Sequence, residues 1–219
     1  MRLVCALLAG GLVLAGAEVW TFDRLDKIGG HRATALGHPR VIKTPLGKGV
    51  EFNGVDDALF IDDHPLAGAE VFTFEAIFRP AKGGAAEQRW FHLAEQDAKG
   101  ADTGTRVLFE TRLVGDNWYL DAFVQSGQAS KVLVNPKLVH PLDEWHRVAM
   151  VYDGKEFRSY VDGVLEGQAA AQFAPQGKGH SSVGVRINKV NYCKGAVRQA
   201  RFSRKALTPE EFLKLPAAR

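Results

Sequence analysis

The sequence predicts an all-β domain, a sandwich or barrel of short antiparallel strands, and three observations carry that expectation. Residues 71–79 alternate with period two, with Phe72, Phe74, Ala76 and Phe78 on one face and Thr73, Glu75, Ile77 and Arg79 on the other. Such alternation belongs to a strand with one face on a core. Tight-turn pairs, Gly115-Asp116, Asp153-Gly154 and Asp162-Gly163, separate stretches rich in β-branched and aromatic residues. Helical periodicity is almost absent beyond residue 17.

The elements follow in chain order. Met1-Arg2 gives a positive start, residues 3–14 are an apolar run, and Ala15-Gly16-Ala17 offers the small-x-small pattern of a cleavage site. This reads as a secretory signal over residues 1–17, too short to span a bilayer, followed by one domain over 18–219. The expected location is secreted or periplasmic, with no membrane insertion after cleavage. Intact mass of the exported protein should place the mature N-terminus at Glu18; exported material that keeps Met1 would refute this. Cleavage removes Cys5 and leaves Cys193 alone, so no internal disulfide is expected. Residues 19–22, 49–52 and 58–61 are short early strands.

Residues 105–114 and 117–125 flank Gly115-Asp116, and glycine in first place suits a type II′ hairpin turn. The resulting register pairs Leu113 with Trp118, Thr111 with Leu120, Phe109 with Ala122 and Val107 with Val124 on a mostly apolar face. Arg112 pairs with Tyr119, Glu110 with Asp121, Leu108 with Phe123 and Arg106 with Gln125 on the other. A slip of one residue would scramble both faces. Residues 145–152 and 155–161 flank Asp153-Gly154 as a second hairpin, with a type I′ turn expected, Val148, Met150, Phe157 and Val161 inward, and Arg147, Arg158 and Tyr160 outward. Residues 181–187 and 196–202 are two further strands. Thr208 as N-cap, Pro209 in the first helical position and Glu211 closing a capping box predict one short C-terminal helix, docked by Phe212 and Leu215.

Composition narrows the functions. The chain has 219 residues and a net charge of +3, with Lys and Arg scattered, which argues against nucleic acid as partner. The histidines are dispersed without metal-ligand spacing, and no phosphate loop, CxxC pair or Ser/His/Asp arrangement is visible.

Three blocks carry a family resemblance. Glu144-Trp145-His146-Arg147-Val148-Ala149-Met150-Val151-Tyr152-Asp153-Gly154, continued by Tyr160-Val161-Asp162-Gly163, resembles the W-H-x-V-A-x-x-Y-D-G…Y-V-D-G pattern of laminin-G-like jelly rolls in bacterial secreted proteins. Upstream, Phe52-Asn53-Gly54-Val55-Asp56-Asp57 resembles the family's F-x-G-x-D-D turn. Downstream, Asn191-Tyr192-Cys193-Lys194-Gly195-Ala196-Val197 resembles its closing block, with Cys193 where an aromatic usually stands. The resemblance implies a concanavalin A-like (laminin-G-like) jelly-roll β-sandwich of two antiparallel sheets. It leaves function open, because the superfamily holds lectins, carbohydrate-binding modules, glycoside hydrolases, polysaccharide lyases and adhesion domains.

Catalytic patterns of these relatives are incomplete here. The glucanase E-x-D-x-x-E has only Glu95-Gln96-Asp97-Ala98-Lys99-Gly100 as a counterpart, without the final carboxylate. Of the alginate-lyase motifs, Glu110-Thr111-Arg112 gives half of one, and Gln125-Ser126-Gly127 lacks the histidine of another. His146 reads as a core or edge residue of its strand. The resemblance also implies calcium on loop carboxylates, for which Asp56 and Asp57 are the candidates; turn chemistry explains the same residues without a metal. On the polar hairpin face, Arg106, Glu110, Arg112, Tyr119, Asp121 and Gln125 are the candidate ligand-binding set, since planar hydrogen-bonding groups beside an aromatic suit a sugar. A solvated face laced with ion pairs is the alternative. The expected function is non-catalytic recognition of an extracellular polysaccharide or glycan, or of a cell-surface protein. A polysaccharide lyase and an adhesive module are the alternatives.

Overall fold

A computed structural model describes residues 16–215, so the predicted export segment lies, for residues 1–15, outside the described residues. In chain order the strands are β1 (Ala17–Thr21), β2 (Lys27–Ile28), β3 (His31–Leu36), β4 (Arg40–Thr44), β5 (Gly47–Asn53) and β6 (Ala58–Ile61). Next come β7 (Phe72–Pro80), β8 (Glu87–Gln96), β9 (Asp102–Val114), β10 (Asn117–Ser126), β11 (Ala129–Val134) and β12 (His140–Pro141). The last are β13 (His146–Tyr152), β14 (Glu156–Val161), β15 (Val164–Ala170), β16 (Gly179–Val183) and β17 (Lys194–Ser203). They form the expected two-sheet antiparallel sandwich. One sheet runs β15-β14-β13-β7-β17-β5-β4 with β1 beside β17, and the other runs β11-β10-β9-β8-β16-β6-β3-β2 with β12 beside β10.

Aromatics fill the space between the sheets. Phe78 of the first sheet stacks on Trp90 of the second at 4.0 Å with planes 2° apart. Trp90 in turn stacks on Phe109 at 5.2 Å, and Trp118 meets Phe78 edge-on at 5.0 Å. Cys193 is buried in the same core, and burial pushes its thiol up to about 12, so it packs as a small apolar residue.

The β9–β10 register is the one the sequence predicts, pair by pair from Leu113–Trp118 and Arg112–Tyr119 to Arg106–Gln125. Gly115 has φ 58 and Asp116 is not left-handed, as a type II′ turn requires. The next hairpin differs. Tyr152 pairs with Phe157, so the loop takes in Asp153 to Glu156 and is not a two-residue type I′ turn. Asp153 Oδ1 accepts the amides of Lys155 (2.9 Å) and Glu156 (2.8 Å), and this side-chain capping widens the turn. The slip is two residues, so each side chain keeps its predicted face: Val148, Met150, Phe157 and Val161 lie in the core. The type I′ geometry appears instead at Asp162 (φ 50) and Gly163 (φ 88), between paired Val161 and Val164.

Two other expectations change. Strand β7 is buried on both faces, not one. Its outer residues lie under the C-terminal segment: Thr73 Oγ1 donates to Lys205 O (2.7 Å), and Glu75 Oε1 accepts Leu213 N–H (2.6 Å). The C-terminal helix is a single 3-10 turn, Pro209–Glu211, its start capped by Thr208 N–H donating to Glu211 Oε2 (2.9 Å). Phe212 docks as predicted, against Tyr160, Ala149 and Val151, with Leu207 rather than Leu215 beside it.

Candidate functional site

The predicted polar face is the outer surface of the second sheet, where β8, β9, β10 and β11 lie side by side. Residues alternate strictly along β9 and β10, so Arg106, Glu110 and Arg112 share that face with Tyr119, Asp121 and Gln125, opposite Phe109, Trp118 and Leu120 in the core. Glu110 and Asp121 meet directly across the ladder, each only 4% exposed. Like charges so placed repel, and arginines neutralise them. Arg112 reaches Asp121 Oδ2 at 2.7 Å and Glu110 Oε2 at 3.4 Å. Arg89 Nε lies 3.1 Å from Glu110 Oε1. Glu87 closes the network with contacts of 2.5 Å to both Arg89 and Arg112. Burial, reinforced by Asp121, still holds the Glu110 carboxyl above its ordinary range.

The face is not flat. Arg106, Glu110, Arg112 and Asp121 line a groove of about 360 Å³ together with Arg89, Phe123 and Arg186. The Arg106 guanidinium lies over the Phe123 ring at 4.8 Å. Tyr119 and Gln125 share the face without lining the groove; Gln125 Nε2 instead donates to Gly127 O at 2.6 Å. Sequence reasoning missed Arg89, Phe123 and Arg186 as site residues. The hairpin register puts Phe123 on this face, but an apolar side chain carries no signal of a polar site. Arg89 lies on a strand with no clean alternation, and Arg186 lies on a loop.

That loop is fixed onto the sheet. Arg89 N–H donates to Asn191 O (2.9 Å), Ile187 N–H to His92 Nδ1 (3.0 Å) and Cys193 N–H to Gly184 O (2.8 Å). Lys189 (φ 62) and Asn191 (φ 58) take left-handed conformations within it, which is costly for a lysine and persists only where the surroundings impose it.

The Asp56-Asp57 turn does not fit a calcium site. Asp57 is buried, and its two oxygens accept the amides of His38 (2.6 Å) and Asn53 (3.0 Å). Asn53 Oδ1 accepts from Val55, Asp56 and Asp57, and Asn53 Nδ2 donates to Asp56 Oδ1 at 2.7 Å. N–H donors therefore converge on these carboxylates, and donors repel a cation; turn chemistry accounts for both residues. Among the described residues, the one group with metal-ligand spacing is Glu18, His31 and Asp63, in which His31 Nε2 sits 2.8 Å from Glu18 Oε1.

His146 is a structural residue. It is buried, with Nδ1 at 2.9 Å from Asp162 Oδ2 and Nε2 at 3.0 Å from Pro141 O. Burial opposes the charged ring, but these two acceptors outweigh it and hold the imidazole above its ordinary pKa. Asp97 of the incomplete glucanase string caps its own loop through the amides of Lys99 (2.8 Å) and Ala101 (2.9 Å).

Comparisons with known proteins agree with this fold. Among curated protein sequences none is significantly similar. Domain 4 of AbnA, an extracellular GH43 arabinanase from Geobacillus stearothermophilus solved with arabinotriose, is similar with TM-score 0.59 and 16% identity, over 90% of this chain and 97% of that one. The binding domain of Paraclostridial Mosquitocidal Protein 1 is similar with TM-score 0.61 and 10% identity, over 90% of this chain and 50% of that one. The binding domain of Botulinum Neurotoxin DC, solved in complex with SialylT, is similar with TM-score 0.58 and 8% identity, over 90% and 50%. The chain thus spans about half of each toxin domain, and at these identities the likeness is one of fold. The model of the concanavalin A-like lectin/glucanases superfamily in its laminin-G form matches residues 53–212, most of the sandwich described above, and the chain belongs to that family.

Proposed function

We propose that this protein is an exported glycan-recognition module, secreted or periplasmic, that binds an extracellular polysaccharide or glycan without transforming it. The observation that carries the reading is the groove on the outer face of the second sheet: buried carboxylates bridged by planar guanidiniums, with an aromatic ring beside them. Sugars are recognised by such fixed planar hydrogen-bonding groups together with a flat apolar surface. Two of the similar folds were solved with oligosaccharide or sialyl ligands, which supports the same reading. The carboxylates of the groove are engaged by arginines and both nitrogens of His146 are occupied, which favours binding over a lyase reaction. A glycan array with the purified protein tests the reading, and absence of any bound glycan would overturn it. Phe123→Ala should weaken binding of an array-identified oligosaccharide by about 1 kcal/mol or more through lost stacking surface. The melting temperature should change little, because Phe123 is outside the core. Unchanged affinity would remove Phe123 from the binding surface, and Tyr119→Ala, outside the groove, is the control expected to bind as the parent does.

A further inference from the structure

The groove contains more positive charge than its own carboxylates use. Arg89 and Arg112 are paired with Glu87, Glu110 and Asp121. Arg106 and Arg186 are not: among the described residues no carboxylate lies within ion-pair distance of either. Arg106 makes one side-chain hydrogen bond, Nη1 to Gly104 O at 2.6 Å. Both arginines line the groove beside Phe123, and both also line a smaller adjoining hollow of about 190 Å³ that reaches His92. The two guanidiniums are close enough for the charge of Arg186, after burial, to depress the pKa of Arg106. Two like charges held together at a partly buried site are unfavourable unless an anion joins them.

The unpartnered polar atoms around these two arginines are of one kind. Arg106 Nε and Arg186 Nε are buried without hydrogen-bond partners, and so is His92 Nε2. His92 is 1% exposed, and its Nδ1 accepts the Ile187 amide, so its Nε2 carries the proton of the neutral ring. Burial, with Arg186 and Arg106 adding to it, keeps that ring neutral, its pKa well below the ordinary value. All three orphans are therefore N–H donors. On the other side of the groove the orphan is an acceptor, Asp121 Oδ1. Buried donors left without acceptors are costly and rare. Around Arg106 and Arg186 donors and positive charge are thus in excess, which suits an anionic oxygen pair at this end of the groove.

We infer that the groove selects acidic sugars, with the ligand carboxylate held between Arg106 and Arg186, which line it side by side without a carboxylate of their own. The inference rests on the glycan-recognition reading and narrows it to carboxylate-bearing saccharides, whether uronates or sialates. The loop that carries Arg186 is fixed to the sheet through Asn191 and Ile187, so one wall of the carboxylate site is formed before the ligand arrives.

The test is an array of oligouronates and sialyl oligosaccharides, each printed beside its carboxyl-reduced counterpart, followed by titration calorimetry on the best binder. Acidic forms should bind about tenfold or more tightly than the reduced forms, the span expected for hydrogen bonds to a charged group. Arg186→Gln should erase that preference, Arg186→Lys should keep part of it, and added salt should weaken it. Arg186→Gln, which relieves the repulsion with Arg106, should melt no lower than the unaltered protein, so that a lost preference is not lost folding. Glycans that bind equally well after carboxyl reduction, or that are all neutral, would overturn the acidic preference and leave glycan recognition standing. An acidic preference that survives in Arg186→Gln would overturn the placement of the carboxylate. A protein that binds nothing on this array loses the acidic preference, and it loses glycan recognition as well when an array of neutral glycans is also empty.

Discussion

Trp90→Ala is expected to destabilise the protein by about 3–5 kcal/mol, the range for removing a large aromatic from a core. Trp90 is fully buried and is the middle ring of a stack, with Phe78 at 4.0 Å on one side and Phe109 at 5.2 Å on the other. Phe78 belongs to one sheet and Trp90 and Phe109 to the other, so the indole is where the two layers grip each other. Alanine leaves a void that neighbours on two rigid sheets cannot close, and dispersion contacts on both faces are lost together. Trp90→Phe should cost far less. It keeps a ring in the stack and also removes the indole N–H, which is buried without an acceptor. Urea unfolding of both variants measures this; an alanine variant within about 1 kcal/mol of the parent would show that the sheets can close over the gap.

Arg201→Met should cost a similar amount, about 3–5 kcal/mol at neutral pH, because it leaves a buried carboxylate without its counter-charge. Glu75 is fully buried on β7, with Oε2 at 2.6 Å from Arg201 Nε and Oε1 accepting Leu213 N–H. Burial already holds this carboxyl above its ordinary pKa in spite of Arg201 and the Leu213 amide, which lower it. Removing the guanidinium raises it further. A carboxyl whose folded-state pKa exceeds its unfolded value binds more protons in the native state. Stability therefore falls as pH rises through that window, and the full loss is felt above it. The deficit of the variant should shrink as pH is lowered towards the raised Glu75 value, where the neutral acid needs no partner. A deficit equal at neutral and acidic pH would assign the loss to packing rather than to the stranded charge.

The contrast between the two hairpins shows what was legible in the sequence. Around Gly115-Asp116 the alternation and the turn chemistry point to one register, and that register is observed. Around Asp153-Gly154 the dipeptide suggests a two-residue turn, but the Asp153 side chain competes for the Lys155 and Glu156 amides and widens the loop. Period two hides the difference, because a slip of two returns each side chain to its own face. Strand β8 was not legible. A bulge between Arg89 and Phe91 turns both Trp90 and Phe91 into the core, which breaks the alternation a reader relies on. The site divides along the same line. Arg106, Glu110, Arg112 and Asp121 were found because a single hairpin brings them together. Arg89 sits beside the bulge, and Arg186 arrives on a loop whose position depends on contacts with Asn191, Ile187 and Cys193 rather than on any local pattern.

The C-terminal segment over β7 gives the molecule a front and a back. Lys205, Leu207 and Leu213 hydrogen-bond to Thr73 and Glu75 and roof the outer face of the first sheet, while the groove opens on the outer face of the second. A sensor chip or bead coupled through this roofing segment would therefore hold the protein by its back, with the arginine groove turned out towards whatever flows past.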